Sequence, residues 1–296
     1  MPKVLFGVPY MGSKAKIALD ILKQLPKGKR FVDLFGGGFA MSHAALLTNR
    51  YEKILYNDIN PLITDLVKRA INGEFNYKIF KPKWITRQEF DLNKDKDGYI
   101  KYCWSFGNDG RSYLYGKDIE PLKEAQHNFI VFGERSCILT KNYPEIYNFV
   151  TANDIHNRML QTKHFFKKIY KLRSECPHLE RIARCSQLER IARCSQLERI
   201  DTNEKLEISN INYTDYKYQE GDIVYLDPPY EGTTDYGNVF DSKQFYDWCI
   251  SRPYQVWFSS YKISDKRFRL VYARELFNSL NSDNVCFNFE CLYTNK

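Results

Sequence analysis

Apolar residues recur at 17, 18, 21, 22 and 25 in GSKAKIALDILKQLPKG, the spacing of one helix face, with Ser13 placed to cap the start and Pro26 to Gly28 to stop it. A short apolar run, RFVDLF, leads into a glycine cluster and a second helical pattern, AMSHAALLTNR. KILYNDINP then reads as a strand ending at Asn57 and Asp58, and Pro61 is suited to open the helix PLITDLVKRAIN. Strands alternating with helices predict a parallel sheet. The rhythm lapses over 75–200, where Lys, Tyr, Phe and Trp dominate and SFGNDGRSYLYGKD reads as a glycine-punctuated loop or hairpin. It resumes with DIVYLDPPY, a helix at DSKQFYDWCIS, the strand QVWFSSY and a last extended stretch, CFNFECLY. The expected fold is therefore α/β, a Rossmann-like sheet with helices on both faces. Residues 1–74 and 201–296 would form it, and a mostly helical and hairpin domain would be inserted at 75–200.

One repeat interrupts the insert: LERIARCSQ occurs at 179–187 and 188–196, followed by LERI at 197–200. Nine helical residues advance 2.5 turns, so successive copies face opposite sides and build no continuous coiled-coil seam. The favoured expectation is a duplication tolerated in an exposed helical arm; a variable spacer or a DNA-contacting arm is the alternative.

Composition narrows the class. The chain has 296 residues, 43% of them hydrophobic, enough for one large domain or a core with a smaller insert. No apolar run approaches the length of a membrane span and the start lacks a secretory pattern, so a soluble cytoplasmic protein without membrane contact is expected. Eight cysteines form no C-x-x-C pair and the five histidines lie at no zinc spacing, so no metal is expected and the thiols should be reduced. The net charge is +8, and residues 151–200 hold 11 basic against 5 acidic residues, a net of 11 − 5 = +6. That excess suits a polyanion.

Two stretches carry chemistry. FVDLFGGGFA places glycines where a strand must turn sharply into a helix and let a ligand approach the backbone, and Asp58, twenty residues beyond Gly38, stands where a carboxylate meets ribose hydroxyls. Any adenosine cofactor fits this layout, a nicotinamide dinucleotide included. The second stretch, YLDPPYEG, ends an apolar strand on Asp227, Pro228, Pro229 and Tyr230. The prolines stop the ladder and leave the Pro228 carbonyl without a strand partner. Two fixed acceptors beside an aromatic ring match an exocyclic amino group on a stacked base. Gripping both amino hydrogens favours a pyramidal nitrogen and stabilises the positive charge it gains on attack. No Pro-Cys dipeptide advertises the nucleophile that cytosine-ring methylation needs.

In this order of motifs the chain resembles the Dam-type adenine-specific DNA methyltransferases, strongly over about 6–62 and 208–232 and more loosely in FSSY…ECLYTN. The resemblance implies S-adenosylmethionine as methyl donor, double-stranded DNA as substrate, a flipped adenine and direct in-line transfer to its N6 nitrogen. It assigns Tyr10, Gly12 and Lys14 of PYMGSK to the methionine end of the cofactor. Asp33, Phe35 and Gly37 fall to the glycine turn, Asp58 to the ribose, Asn212 and Tyr213 to the cofactor adenine, and Asp227 to Tyr230 to catalysis, Asp227 also meeting the cofactor. The chain departs from the pattern at Phe39, where another glycine is usual, at Asn212, where an acid is, and at Tyr10, where tryptophan is common. In the insert, Asn108, Arg111 and Tyr113 suit base edges, phosphates and stacking or wedging respectively. A monomer in a bacterial or phage-infected cell is expected, with a cognate restriction endonuclease as a partner in function. Amino-cytosine (N4) methylation, a catalytically silent DNA-binding protein and a nicotinamide dehydrogenase remain as alternatives.

Overall fold

The computed structural model describes residues 5–172, 186–199, 204–230, 240–277 and 287–296. Its backbone divides into two compact units, one of Met1–Gly7, Ser13–Thr64 and Ile200–Lys296, the other of Val8–Gly12 and Asp65–Arg199.

The first unit is built on a seven-stranded sheet with the order β3-β2-β1-β4-β5-β7-β6. The strands are β1 (Arg30–Asp33), β2 (Lys53–Asn57), β3 (Leu206–Ser209), β4 (Asp222–Leu226), β5 (Val256–Ser260), β6 (Arg269–Phe277) and β7 (Phe287–Thr294). The first five pair in parallel, and β7 runs antiparallel between β5 and β6. Every residue of β4 and β5 is buried, as strands covered on both faces must be. Because β2 lies on one side of β1 and β4 on the other, the strand order reverses there, and a parallel sheet opens its ligand crevice at that point.

Helix α1 (Ala18–Gln24) buries the apolar positions 17, 18, 21, 22 and 25, as their spacing predicts. Its start differs: Lys14–Lys16 forms a separate 3-10 turn, and the Ser13 side chain makes no capping bond. Helix α2 (Ala40–Thr48) follows the glycine turn, and α3 (Pro61–Ile71) opens on Pro61. The helix Ser242–Ile250 is capped by Asp241, which accepts from the Gln244 N–H at 2.9 Å.

The second unit is mainly helical, with its longest helix at Ile155–Leu172. The second copy of the repeat supplies most of the helix Ser186–Ser195, and Leu188, Ile191, Cys194 and Leu197 are fully buried. This corrects the expectation of an exposed arm: an apolar residue every third position makes a stripe that the unit's own core covers. Gln187 is buried between Tyr115, whose hydroxyl donates to it, and His127, whereas Gln196, its counterpart nine residues on, is exposed. Arg190 donates to the carbonyls of Cys103 and Ser105 at 2.9 and 2.6 Å and so anchors the loop that follows. Most of the first copy, 179–185, lies outside the described residues.

Candidate active site

Within the first unit the carboxyl ends of β1, β2 and β4 carry Asp33, Asp58 and Asp227. The parallel register sets Asp33 opposite Tyr225, two residues before Asp227. The glycine turn between β1 and α2 is held by side chains of β2 and the residue after it. Gly37 N–H donates to Asp58 Oδ2 at 2.8 Å, Tyr56 hydroxyl donates to the Gly37 carbonyl at 2.7 Å, and Gly36 N–H donates to the Asn57 carbonyl at 2.8 Å. A Cβ on Gly36 would stand 2.2 Å from the Tyr56 ring, so only glycine fits there. Phe39 sits at φ 67°, ψ 15°, a left-handed conformation in which glycine costs least. Its ring is fully buried, edge-on to Tyr56 at 5.0 Å and stacked on His43 at 6.1 Å, and this burial offsets the strain of about 1 kcal/mol. The departure at Phe39 therefore keeps the turn while adding to the core.

Asp33 is the most exposed of these groups to electrostatic cost and the least to water. Its Oδ2 accepts from Ser42 at 2.7 Å, while Oδ1 is buried with no partner among the described residues. Burial, with smaller contributions from the charges of Asp227 and Asp58, pushes its pKa up to about 7. An orphaned carboxylate oxygen at a strand end suits a cationic ligand. Asp58 also titrates high because it is buried, although the N–H groups of Asn60 and Gly37 oppose the shift. Its two oxygens each accept one backbone hydrogen bond, and each keeps a second lone pair for a hydroxyl.

Phe35 and Tyr213 are half-buried rings 5.2 Å apart, and Tyr213 lies edge-on to Trp248 at 5.1 Å, giving a partly exposed aromatic wall. Asn212 is exposed, its side chain accepting from the Thr214 N–H at 3.1 Å. This segment is tied to the sheet by Asn57, which the sequence offered only as the end of a strand. The Asn57 amide donates to the carbonyls of Leu34 and Ile211 and accepts from Ile211 N–H and Ser209 hydroxyl, using all four of its bonds.

Behind β4, Asp227 Oδ1 is 2.7 Å from Lys14 Nζ and 3.3 Å from the Tyr230 hydroxyl. Oδ2 has no partner among the described residues and the side chain keeps 17% of its exposure, so one acceptor faces outward while the other is pinned. Nothing among the described residues donates to the Pro228 carbonyl. Lys14 also lies 3.4 Å from Glu290 Oε1 and 4.9 Å from the Tyr230 ring centre. The Tyr230 hydroxyl donates to Glu290, and its ring is edge-on to Tyr261 at 4.6 Å. Burial would lower the Lys14 pKa, but Asp227 and Glu290 hold it above its ordinary value. Burial raises both carboxyls, and Lys14 moderates the rise. Four acids, Asp33, Asp58, Asp227 and Glu290, thus stand at this end of the sheet, and among the described residues Lys14 pairs with two of them, Asp227 and Glu290. A pyrophosphate would be repelled by that balance; a sulfonium and an ammonium would be attracted.

Residues 10–127 match the family model described as D12 class N6 adenine-specific DNA methyltransferase. Over that segment the chain is similar to this family. The methyltransferase match covers the glycine turn, Asp33 and Asp58, and ends before Asp227. Adenine-N6 methylation of DNA is the family's activity and decides against the dehydrogenase alternative, as the acid-rich strand ends do independently.

The second unit holds the remaining sequence-expected residues. Tyr10 and Gly12 group there, the Tyr10 ring 5.1 Å from Tyr102 and Gly12 at φ 72°. The loop after Tyr102 is closed by a bridge between Ser105 and Tyr113 and by Phe106 N–H donating to the Ser112 carbonyl at 2.7 Å. Tyr113 requires a correction. It is buried, its hydroxyl donates to the Ile85 carbonyl at 2.6 Å, and its ring packs on Phe90 and under the Arg87 guanidinium, so no face is left for a base. The aromatic that this loop exposes is Phe106, at 63%. Asn108 is half-buried with its amide donating to the Tyr102 carbonyl at 2.7 Å, and Arg111 is exposed beside Asp109. Among the described residues no acid, histidine and cysteine cluster could hold a metal, and no helix is long and apolar enough to cross a membrane.

Asp33→Asn tests the cationic-ligand site without requiring catalysis. Between about pH 4 and 7 the folded protein keeps a proton on Asp33 that the unfolded chain has lost, so stability from this group falls as pH rises. The variant should melt about 3 °C or more above the parent at pH 8.5, and the difference should shrink as pH falls toward about 4. Its affinity for S-adenosylmethionine, read by calorimetry, should drop about tenfold. Equal melting at pH 8.5 would remove the buried-charge argument.

Proposed function

We propose that this chain transfers a methyl group from S-adenosylmethionine to the N6 nitrogen of an adenine extruded from double-stranded DNA. The single observation that carries the residue assignment is the Asp227 carboxylate, with one oxygen pinned by Lys14 and the other outward beside the buried Pro228 and the Tyr230 ring. In this reading Asp33 accepts from the methionine ammonium, Asp58 from the ribose, and Phe35 and Tyr213 flank the cofactor adenine. The bound cofactor supplies an electrophilic methyl group. Asp227 Oδ2 and the Pro228 carbonyl accept the two amino hydrogens, and Tyr230 stacks on the base. As the nitrogen gains positive charge, the carboxylate stabilises it and then takes its proton.

Sixty-three percent exposure of Phe106 on a loop anchored by Arg190 favours that ring, with Arg111 for phosphate, as the DNA-facing group of the second unit. Extruding a base costs a few kcal/mol of stacking, which an inserted ring offsets. Phe106→Ala should raise KM for unmethylated plasmid DNA about tenfold, with Tyr113→Phe close to the parent; equal KM values for Phe106→Ala and parent would refute this assignment. Any companion endonuclease would be matched through the DNA sequence. Both substrates occur in a bacterial or phage-infected cytoplasm.

The test is incubation with labelled S-adenosylmethionine and unmethylated duplex DNA, followed by nucleoside analysis. Label is expected in N6-methyladenine. Label in N4-methylcytosine would reassign the base, and DNA binding without label would establish a silent binding protein.

A further inference from the structure

Glu290 is buried to 4% exposure, between Phe289 and Cys291 on β7 and opposite Arg274 of β6, whose side chain is instead paired with Asp20. Strand β7 returns antiparallel beside β5, with Cys291 opposite Ser260, and this brings Glu290 past the carboxyl end of β5 to the region of Asp227. Its Oε1 accepts from the Tyr230 hydroxyl and lies 3.4 Å from Lys14 Nζ. Lys14 is in turn 2.7 Å and Tyr230 hydroxyl 3.3 Å from the same oxygen of Asp227. The four groups form a closed ring, Asp227 to Lys14 to Glu290 to Tyr230 and back. A second carboxylate buried next to Asp227 costs the fold free energy that a glutamine would not. Tyr230 has an alternative acceptor in Asp227 itself, so satisfying its hydroxyl does not explain the charge.

We propose that Glu290 is a positioning residue of the methyltransferase, acting through Lys14 and Tyr230 to keep the Asp227 carboxylate oriented and basic toward the target amino group. By sharing Lys14, Glu290 prevents that ammonium from neutralising Asp227 alone. By accepting the Tyr230 hydroxyl's hydrogen bond, it fixes the rotation of the ring on which the base stacks, with Tyr261 closing one edge. The inference rests on the assignment of Asp227 as the acceptor. The charged and titratable groups that face Asp227 are Lys14 from the 3-10 turn, Asp33 from β1, Tyr225 from β4, Tyr230 from the bend and Glu290 from β7.

The experiment measures kcat and KM from pH 5 to 9 for the full-length parent, Glu290→Gln and Glu290→Asp, together with calorimetric affinity for S-adenosylmethionine and melting temperature. Glu290→Gln should lower kcat about 30-fold and leave cofactor affinity within about threefold. The acid limb of its kcat profile should shift to lower pH, because Lys14 then serves Asp227 alone. Glu290→Asp should retain the parent's acid limb and recover part of kcat. An unchanged kcat in Glu290→Gln overturns the inference. So does a loss that follows melting temperature or cofactor affinity while the acid limb stays in place, since that is what a merely structural residue would do. A parent protein that transfers no methyl group would remove the assignment of Asp227 itself, and the inference would fall with it.

Discussion

Asp227→Ala is expected to lower kcat for methyl transfer by about a thousandfold or more, with cofactor affinity changed far less. The carboxylate makes two contributions in one side chain. Oδ1 is committed to Lys14 and Tyr230, which fixes the plane of the group, and in the proposed mechanism Oδ2 accepts an amino hydrogen. Alanine removes the acceptor and also the negative charge facing a nitrogen that becomes cationic during attack. Asp227→Asn should be nearly as inactive, because the amide keeps the shape and loses the charge. Single-turnover incorporation of labelled methyl groups, read beside calorimetric binding of the cofactor, separates the chemical step from binding. Retention of more than about a tenth of parental kcat by Asp227→Ala would take Asp227 out of the catalytic role.

The elements that position Asp227 were legible because their signals are local. Ile17, Ala18, Ile21, Leu22 and Leu25 mark a helix face by spacing alone, and the two prolines of Asp227–Tyr230 mark the end of β4 because neither can donate to a ladder. What escaped is set by contacts distant in sequence. Glu290 lies 60 residues from the tyrosine it accepts from, and a glutamate in a strand reads as a solvent-facing residue until the topology turns it inward. Asn57 was seen as a boundary, while its four bonds to Leu34, Ser209 and Ile211 depend on where the chain returns about 150 residues later. In the loop at 105–113 the sequence points to Tyr113 and not to Phe106. The Ile85 carbonyl and the Phe90 ring decide that Tyr113 turns in and Phe106 out. The burial of the repeat's second copy has the same origin, since the stripe of Leu188, Ile191 and Cys194 needs a partner core that helical periodicity alone does not reveal.

Lys14→Met should combine the second large loss of activity with a loss of stability of about 3 kcal/mol, and its pH dependence identifies the cause. Lys14 is 7% exposed and is the base that pairs with Asp227 and Glu290 among the described residues, so methionine fills its space while removing the counter-charge that both share. Burial already raises both carboxyls, and Lys14 is the group that restrains them. Without it their folded pKa values rise further above the unfolded ones. The folded variant then holds protons that the unfolded chain releases, so its stability is greatest at low pH and falls as pH rises through those raised values. Melting temperature should therefore climb as the variant is acidified from pH 8 toward pH 5. Activity should show the same charge from the other side: the acid limb of the kcat profile moves to higher pH, opposite to Glu290→Gln, because a protonated Asp227 cannot accept an amino hydrogen. A Lys14→Met protein that melts alike at pH 5 and pH 8, or whose acid limb coincides with the parent's, would show that Lys14 does not set the charge of Asp227.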